Sequence, residues 1–585
     1  MQWTAANLFS ATAARHARCL SGLVGLMLIA LACFAGPTSL GHYSFLAAGA
    51  LLGFSIGLYL AERASFEPPR KAGGCGLELC LVGGTGLLLA GLAYWCGMRQ
   101  FGAGDLSALI DAAWRLCNGQ KPYVDFPCTL PVGFYIGGEM ALRVFGIYWR
   151  SFIILNCIWI CVTYYWLYAL ARTVLQNRLL AFWCAFTCEV ITTIAVSYWW
   201  YNPVTNICAA VFAMSVVAVI LVPKGPVRWL SYCSSLFLMA LLKPNIAALL
   251  ISGSTLILLA MRPTRIRSMI ASIVALSFWF LVIGIHGSTL PEVIHGYLAV
   301  ASRGFSLRQL FTAMHLPEIV LSLILLGAVL APCVFMLPKR FSTGGPMRPV
   351  LLLVLVCCCT GMYGFITNCD IKIVDMPVLL IAAWMVVSER EEVAPRLSLP
   401  TGWARYLIFL CVWLDGVGIS DALTRHRVQM VGDYGEYEAT GEAFQIPFFT
   451  GVHTGQKFHT VADVVSKVVA SEDMSHVFFA NRLQWAYAAF HLQSPKNLPI
   501  WWDSGVSFAP QDQETYEAEW LSRRYDPVVF AGAFRMSDLL VTEVSRQYGV
   551  SSITYFDRWP SPLQILRLRS NTNAPLQPWQ PHSRW

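Results

Sequence analysis

The most regular feature of this chain is a series of long apolar runs separated by short polar segments. A helix needs about 20 apolar residues to cross the hydrocarbon core of a membrane, and by this criterion about thirteen runs are candidate spans. They lie near residues 19–36, 40–61, 75–97, 151–171, 179–197, 204–222, 229–242, 246–261, 268–285, 319–337, 349–366, 376–387 and 406–419. The pattern predicts a mainly α-helical, polytopic membrane protein.

Three stretches are too polar to span a membrane: residues 98–150, 286–317 and 420–585. Two amphipathic segments of the first stretch, 106–117 and 132–145, are expected to be helices lying along the membrane surface. Asp111 and Glu139 would then be surface charges of these two helices.

The last polar stretch has the pattern of a soluble α/β domain. Buried strands are expected at 477–480 and 527–530, and helices at 461–469, 514–524 and 537–547. The chain therefore divides into a transmembrane domain, 1–419, which includes the first two polar stretches as loops, and a soluble C-terminal domain, 420–585.

Composition supports a membrane location and argues against a nucleic-acid partner. Of the 585 residues, 56% are hydrophobic and 13% are charged, whereas a soluble domain has about 25% charged residues. The net charge of +8 comes largely from basic residues in short loops between apolar runs. Such loop charges are typical of membrane proteins.

The distribution of basic residues predicts the orientation, because Lys and Arg favour cytosolic loops. Arg15 and Arg18 precede the first apolar run, which we expect to remain uncleaved, and alternate short loops such as 198–203 lack basic residues. The N-terminus is therefore expected in the cytosol and the tail outside, as in a bacterial inner-membrane protein with a periplasmic domain.

Several basic residues are expected on the outer face against this rule: Lys243, Arg303, Arg308 and Lys372, together with a few in the first polar stretch. Charged residues at such positions usually have a functional reason. An anion held near the outer membrane surface, such as a lipid phosphate, would provide one.

The first polar stretch contains the most distinctive motif of the chain. Gly104-Asp105 opens it, Gly119-Gln120-Lys121-Pro122-Tyr123-Val124-Asp125-Phe126 follows, and Leu130-Pro131-Val132-Gly133-Phe134-Tyr135 comes last. The stretch resembles the first outer loop of the glycosyltransferase C superfamily, which has an early acidic residue, a helix, a Gly-x-Pro-Tyr-x-Asp-Phe turn and a proline-aromatic segment. This chain has one extra residue in the turn.

The resemblance implies a many-span fold and transfer of a sugar from a polyprenyl-phosphate donor to a glycan, lipid or protein acceptor. It also implies that Asp105 is the catalytic carboxylate. The chemistry agrees, because a positioned carboxylate can take the proton of the attacking hydroxyl. Cations must stabilise the leaving phosphate, and Lys243, Arg303 and Arg308 are the candidates.

Three of these candidates also have a structural interpretation. Asp105 could cap the helix that follows it, and Lys243 could be a snorkelling lysine at a helix end; for both, we favour the functional role. Asp125 lies in a turn that an aspartate would stabilise. We favour this role slightly over a second catalytic or metal-binding carboxylate.

Other polar residues are expected to line the substrate pocket. They are Tyr123 in the turn, Tyr201 and Asn202 in an aromatic hairpin, and Asn368, Asp370 and Lys372 in a later outer loop. Aromatic residues in such a hairpin usually belong to an interfacial belt, and Asp370 could equally form a local salt bridge with Lys372. Glu189 is a clear acid in the interior of a span and hence a functional candidate.

No motif requires a cofactor. His286, His295 and His315 are too far apart in the sequence to form a convincing metal set, so no metal site is predicted. A divalent cation beside the donor phosphate is left open.

Three other classes of membrane protein are alternatives to a glycosyltransferase. A transporter or flippase tends to have repeats and several ionisable groups near the membrane midplane, and neither pattern is present beyond Glu189. A ligase or polymerase of surface polysaccharide usually has its large outer loop between late spans, so the sharp motif in the first loop argues against it. A non-catalytic assembly protein, with the tail as an interaction module, is the remaining alternative.

Overall fold

The computed structural model describes residues 75–99, 101, 104–128, 130–174, 178–194, 196–301, 444–471, 473–480, 482–502, 507–531, 538–554, 563–569 and 577–578, together with residue 504 and single positions within 349–360 and 412–419. The described residues fall into two compact units. Unit 1 draws on the ranges Met1–Cys96, Asn156–Trp279 and Phe305–His426. Unit 2 draws on Gly97–Leu155, Phe280–Gly304 and Arg427–Trp585. The three polar stretches of the sequence thus contribute to the same unit.

Helices make up all the regular structure described before residue 302. They are α1 (Cys75–Gly97), α2 (Gly104–Cys117), α3 (Val132–Phe145), α4 (Trp149–Val174), α5 (Arg178–Glu189), a π-helix (Val190–Ile194), α6 (Tyr201–Leu221), α7 (Pro226–Leu242), α8 (Pro244–Ala260), α9 (Arg265–Ile285) and α10 (Leu290–Ala301).

Four of these helices are long and apolar enough to cross a membrane: Cys80–Gly97 within α1, and the whole of α4, α6 and α9. Helix α7 and the segment Ile246–Ala260 of α8 are shorter apolar helices. The predicted polytopic, mainly helical class is therefore confirmed in the described part of the chain. The predicted spans 19–36, 40–61, 319–337 and 376–387 lie outside it, and 349–366 and 406–419 are described only at single positions.

The apolar helices differ in what surrounds them. In α6, 94% of the most apolar window is buried, whereas in α9 only 22% is buried. A helix that is apolar on all sides and buried belongs to the interior of a bundle. The exposed side chains of α9, which include Ile270, Ile273 and Phe278, are suited to contact lipid.

The tail contains a five-stranded mixed sheet with the strand order β1-β2-β4-β3-β5. The strands are β1 (Phe478–Phe479), β2 (Val528–Ala531), β3 (Tyr548–Thr554), β4 (Leu563–Leu568) and β5 (Gln577–Pro578), and the helices are α11 (Gln456–Ser471), α12 (Trp485–Ala489), α13 (Gln513–Arg523) and α14 (Asp538–Gln547). Strands β1 and β2 are parallel and lie in the two runs predicted as strands. The other pairs are antiparallel.

An aromatic cluster joins the beginning of the first polar stretch to the tail within unit 2. The ring centroid of Phe101 lies 5.0 Å from that of Trp149, 4.7 Å from that of Phe449 and 4.6 Å from that of Phe458. Trp485 packs edge-on against Phe449. Aromatic pairs at these separations add about 1 kcal/mol each beyond their buried area, so the tail is firmly attached to this stretch.

The two helices predicted in the first polar stretch are present as α2 and α3, but the interpretation of Asp111 as a surface charge is wrong. Every residue from Leu106 to Leu116 is buried, and Asp111 is 0% exposed. Tail residues cover the polar side of α2, which local periodicity cannot reveal. Glu139 is mostly buried as well, with 13% of its side chain exposed.

Asp111 and Arg115 form a buried ion pair on α2, with Arg115 Nε 2.9 Å from Asp111 Oδ2. Arg115 Nη1 also donates to the carbonyl oxygens of Pro495 at 2.6 Å and Leu498 at 3.1 Å. Ser494 Oγ donates to Asp111 Oδ1 at 2.5 Å. Burial raises the pKa of Asp111, and the Arg115 guanidinium opposes this effect.

We call residues 492–498 the tail strap, because they bind α2 along one side. Besides the contacts of Asp111 and Arg115, Trp114 Nε1 donates to the Leu492 carbonyl at 2.7 Å. Gln120 Nε2 donates to the Ser494 carbonyl at 2.9 Å. Strap carbonyls thus supply oxygen partners to buried donors of α2 and the turn after it.

A second ion pair in unit 2 joins α3 to the end of α9. Glu139 Oε1 accepts from Arg143 Nε at 2.9 Å, and Glu139 Oε2 lies 3.2 Å from His286 Nε2. Burial alone would raise the pKa of Glu139, but the hydrogen bonds from His286 and Arg143 outweigh it and lower the pKa. The hydrogen bond to Glu139 raises the pKa of His286 above its usual value.

We predict that Arg115→Gln destabilises unit 2 by about 3 kcal/mol, because removal of one partner leaves Asp111 as an uncompensated buried charge. For a folded unit of this size, the thermal unfolding midpoint in detergent should fall by roughly 6–12 °C. Trypsin cleavage of the tail should accelerate in parallel.

The matched control is Arg143→Gln, which breaks another Arg–carboxylate pair at the same i,i+4 spacing on a helix. The Arg143 side chain is 56% exposed, so its loss should cost less than about 1 kcal/mol. Equal shifts in the two variants would contradict the structural role of the buried pair.

We predict that the coupling between His286 and Glu139 is strongest between about pH 4.3 and 6.5, the ordinary pKa values of the two groups. The His286 contribution is complete below its unfolded pKa and is lost as pH rises through its raised folded pKa. The Glu139 contribution is complete above its unfolded pKa and is lost as pH falls through its lowered folded pKa.

A double-mutant cycle with Glu139→Gln and His286→Gln, measured by thermal unfolding between pH 4 and 9, isolates this coupling. A value of about 1 kcal/mol near pH 5.5 that declines above pH 7 is expected. A coupling that does not change with pH would show that the two side chains do not form an ion pair.

Candidate active site

The motif turn of the first polar stretch begins where helix α2 ends. Gly119 has a φ angle of +77°, a conformation that glycine adopts without steric cost. Gly119 N donates to the Leu116 carbonyl, and Gln120 N donates to the Arg115 carbonyl at 2.9 Å. These two bonds form a Schellman motif, which satisfies the last carbonyls of a helix. The glycine of the motif therefore ends the helix.

The Asp125 carboxylate closes the turn. Its Oδ2 accepts a hydrogen bond from Lys121 N at 2.8 Å, and its Oδ1 lies 3.2 Å from Lys496 Nζ of the tail strap. The Asp125 carbonyl accepts from Asn497 N at 2.6 Å. Both carboxylate oxygens therefore have partners that hold the turn, which agrees with the structural interpretation of Asp125; its catalytic role stays a prediction.

Asp105 is the second residue of α2, because the helix begins at Gly104. It therefore lies in the first turn rather than at the cap, where a negative charge still stabilises the positive end of the helix dipole. Its side chain lies outside the described part of the structure, so its catalytic role stays a prediction from the motif.

Tyr123 packs against helix α10 through a close approach of ring and backbone. A Cβ atom added to Gly296 would overlap the Tyr123 ring, so only glycine fits at that position. Ser288 Oγ donates to the Pro122 carbonyl at 2.6 Å. Residues of the second polar stretch thus hold the turn on another side, and the predicted place of Tyr123 in the substrate pocket stays a prediction.

Lys243 is the single residue between helices α7 and α8. Pro244 begins α8, and the residue before a proline disfavours helical geometry, so α7 ends at Leu242. Lys243 has φ −154° and ψ 79°, outside the helical region. The sequence Lys-Pro thus places a lysine at a sharp break between two apolar helices.

The Lys243 ammonium is buried, with 4% of the residue exposed. Its Nζ donates to Asn202 Oδ1 at 2.8 Å and lies 5.1 Å from the centroid of the Tyr201 ring. Tyr201 and Asn202 are the first two residues of α6. The structure therefore brings together three of the predicted site residues from two separate parts of the sequence.

The described contacts of Lys243 suit a lysine whose ammonium group binds an anionic ligand. The amide oxygen orients the ammonium, and the Tyr201 ring stabilises it through a cation–π contact. The remaining predicted site residues, Arg303, Arg308, Asn368, Asp370 and Lys372, lie outside the described residues.

Two features of the structure were not predicted from the sequence. One is the tail strap, whose Lys496 contacts Asp125. The other is Asp415, a second fully buried acid in unit 1, which accepts a hydrogen bond from Thr187 Oγ1 at 3.1 Å. Asp415 lies in the predicted span 406–419, and that position alone could have identified it as a functional candidate.

No family model matches the sequence, and no curated protein matches it. Solved structures that are similar to this chain include two of ArnT from Cupriavidus metallidurans. The structure with bound undecaprenyl phosphate has a TM-score of 0.48 and 12% sequence identity, and the match covers 84% of this chain and 98% of that one. The apo structure has the same TM-score and identity, with coverages of 83% and 97%. At this level of similarity the comparison assigns no role to any residue of this chain.

Proposed function

We propose that this protein is a membrane glycosyltransferase of the glycosyltransferase C type, which moves a sugar from a polyprenyl-phosphate donor to an acceptor on the outer face of the membrane. The observation that carries the proposal is the buried Lys243, held by Asn202 and Tyr201 at a break between two apolar helices. A lipid phosphate is proposed as the anion that Lys243 binds, because it can reach a site within a bundle of membrane helices. The motif of the first polar stretch supports the reaction class.

In the proposed reaction, the acceptor hydroxyl attacks the anomeric carbon of the donor sugar. The new bond joins the acceptor oxygen to that carbon, and the bond from the carbon to the phosphate oxygen breaks. The acceptor proton passes to the Asp105 carboxylate, and the lipid phosphate leaves with the bonding electron pair. Displacement in one step inverts the configuration at the anomeric carbon.

Lys243 stabilises the phosphate as its negative charge increases during this step. A preorganised cation in a site of low dielectric constant stabilises a developing charge more strongly than water does. Because Asn202 and Tyr201 already orient the ammonium, little reorganisation is needed when the donor binds. Arg303 and Arg308 are proposed as further phosphate partners, and a divalent cation remains an optional one.

The turn and the tail strap would keep the first polar stretch in a fixed conformation during the reaction. Asp125, Lys121 and Lys496 are then residues that position the turn rather than react. In this arrangement the tail has a structural role in the enzyme. Selection of the acceptor by the tail is compatible with that role.

A transporter is the second candidate, and two buried acids in unit 1 favour it. Glu189 accepts hydrogen bonds from Thr163 Oγ1 at 2.6 Å and Thr193 Oγ1 at 3.2 Å, at the junction of α5 with the π-helix. Such π-helical turns occur often at functional sites, and buried acids mark ion pathways. Loss of substrate movement across proteoliposomes in Glu189→Gln and Asp415→Asn, with no sugar transfer in the wild type, would favour this candidate.

We predict that Asp105→Asn lowers kcat for sugar transfer by at least about 100-fold, because general-base catalysis contributes roughly 10²- to 10⁴-fold. The amide has the same size as the carboxylate, so folding should be preserved. The measurement is transfer of radiolabelled sugar from a panel of polyprenyl-phosphate sugars in purified membranes.

Asp125→Asn is the matched control in the same stretch. It should lower the thermal unfolding midpoint through the contacts to Lys121 and Lys496 but retain most of kcat. If Asp125→Asn abolished transfer and Asp105→Asn did not, the assignment of the base would be reversed.

We predict that Lys243→Met weakens binding of undecaprenyl phosphate at least about tenfold, since a charge-assisted hydrogen bond contributes about 1.5–3 kcal/mol. Methionine keeps the length of the side chain and removes its charge. Binding is measured by native mass spectrometry or microscale thermophoresis of the full chain in nanodiscs.

The control is Lys224→Met, which removes a lysine next to the other end of α7. This helix has 17 residues and is about 26 Å long, so the two lysines lie far apart. An equal loss of affinity in both variants would indicate general attraction of the anionic lipid and contradict the site at Lys243.

A further inference from the structure

The tail contains an open pocket with a volume of about 540 Å³. Three structural elements of the tail end at it: helix α13, helix α14 and strand β4. Its lining residues are Leu521, Ser522, Arg524, Arg546, Gln547, Leu568 and Arg569. Three of these are arginines and none is acidic, so the charged residues of the lining are all basic.

The three arginines differ in their partners. Arg546 Nη2 forms an ion pair with Glu543 at 2.5 Å. Arg524 and Arg569 have no carboxylate within ion-pair distance among the residues that the structure describes. Arg569 Nε donates to the Tyr548 carbonyl at 3.0 Å. This bond holds Nε of the Arg569 guanidinium against strand β3.

Arginines near helix ends also have a simpler explanation, because they offset the negative end of the helix dipole. Two helices end at this pocket, and each contributes about half a negative charge. Glu543 contributes a further full charge. The two helix ends and Glu543 together carry about two negative charges, whereas the three arginines carry three positive charges. Compensation of the helix dipoles therefore does not account for all three arginines.

Tyr548, the first residue of β3, forms hydrogen bonds with one lining residue and with the neighbour of another. Its hydroxyl donates to the Tyr525 carbonyl at 2.8 Å, and its own carbonyl accepts from Arg569. Tyr525 follows Arg524, which has a φ angle of +50°. One tyrosine thus fixes the backbone beside Arg524 and the side chain of Arg569. A site organised before binding loses less entropy when a ligand arrives.

We infer that this pocket binds an oxyanion, a phosphate or a carboxylate, carried by a ligand of the size of a sugar. The guanidinium fork matches both groups geometrically, and the volume falls in the range of small-molecule sites. Ser522 and Gln547 are polar partners for sugar hydroxyls, and Leu521 and Leu568 provide apolar contact. The inference does not depend on the proposed transfer reaction, because it concerns binding alone.

The test is isothermal titration of the full chain in nanodiscs of zwitterionic phosphatidylcholine with α-D-glucose 1-phosphate, D-glucuronate and D-glucose. Saturable binding of at least one anionic sugar, weaker at high salt, and none of D-glucose is expected. Arg524→Asn and Arg569→Gln should each weaken it about tenfold. Asparagine tolerates the left-handed backbone conformation, so Arg524→Asn removes the charge without adding strain.

Arg482→Asn is the matched control, because Arg482 also has a positive φ angle, +76°, and lies outside the pocket lining. It should bind the anionic sugar as the wild type does. Binding should also persist in Lys243→Met, which separates this pocket from the proposed donor site.

Three results would overturn the inference. The first is the absence of saturable binding by either anionic sugar. The second is wild-type affinity in both pocket variants while they remain folded. The third is loss of sugar binding in nanodiscs of anionic phosphatidylglycerol at matched ionic strength, since competition by the lipid would identify a headgroup as the source of the oxyanion.

Discussion

The buried pair of Asp111 and Arg115 is the interaction on which the rest of unit 2 depends. Two charges placed in a protein interior require excellent geometry and additional hydrogen bonds. Ser494, Pro495 and Leu498 of the tail strap supply those bonds. Helix α2 therefore cannot bury its charged side unless the tail is folded against it. The same requirement brings residues nearly 400 positions apart into one compact unit.

Local contacts and one contact to the tail strap explain why particular residue types occur in the motif turn. Gly119 ends helix α2, Asp125 closes the turn with both carboxylate oxygens, and Lys496 neutralises that carboxylate from the tail. Gly119 and Asp125 of the motif thus have structural tasks in this fold.

The sequence predicted those features that depend on neighbouring residues. The apolar runs between residues 75 and 285, the helices at 106–117 and 132–145 and the first two strands of the tail follow from local periodicity, and the structure has elements at these positions. Strands β3, β4 and β5 were not predicted. The burial of Asp111 could not be predicted, because its partners lie in the tail and the helix alone has an ordinary amphipathic pattern. The contact of Lys243 with Asn202 depends on how α6 and α7 pack, so the sequence indicated both residues but not their hydrogen bond.

Comparison of the two buried cations separates a structural charge from a functional candidate. Arg115 has a carboxylate and two carbonyl oxygens around it, a set that compensates both its charge and its donors. Lys243 is held by an amide oxygen of Asn202 and lies beside the aromatic ring of Tyr201. Burial of a cation costs free energy in either case. In the proposed reaction this cost is offset when the Lys243 ammonium stabilises the phosphate of a bound lipid donor.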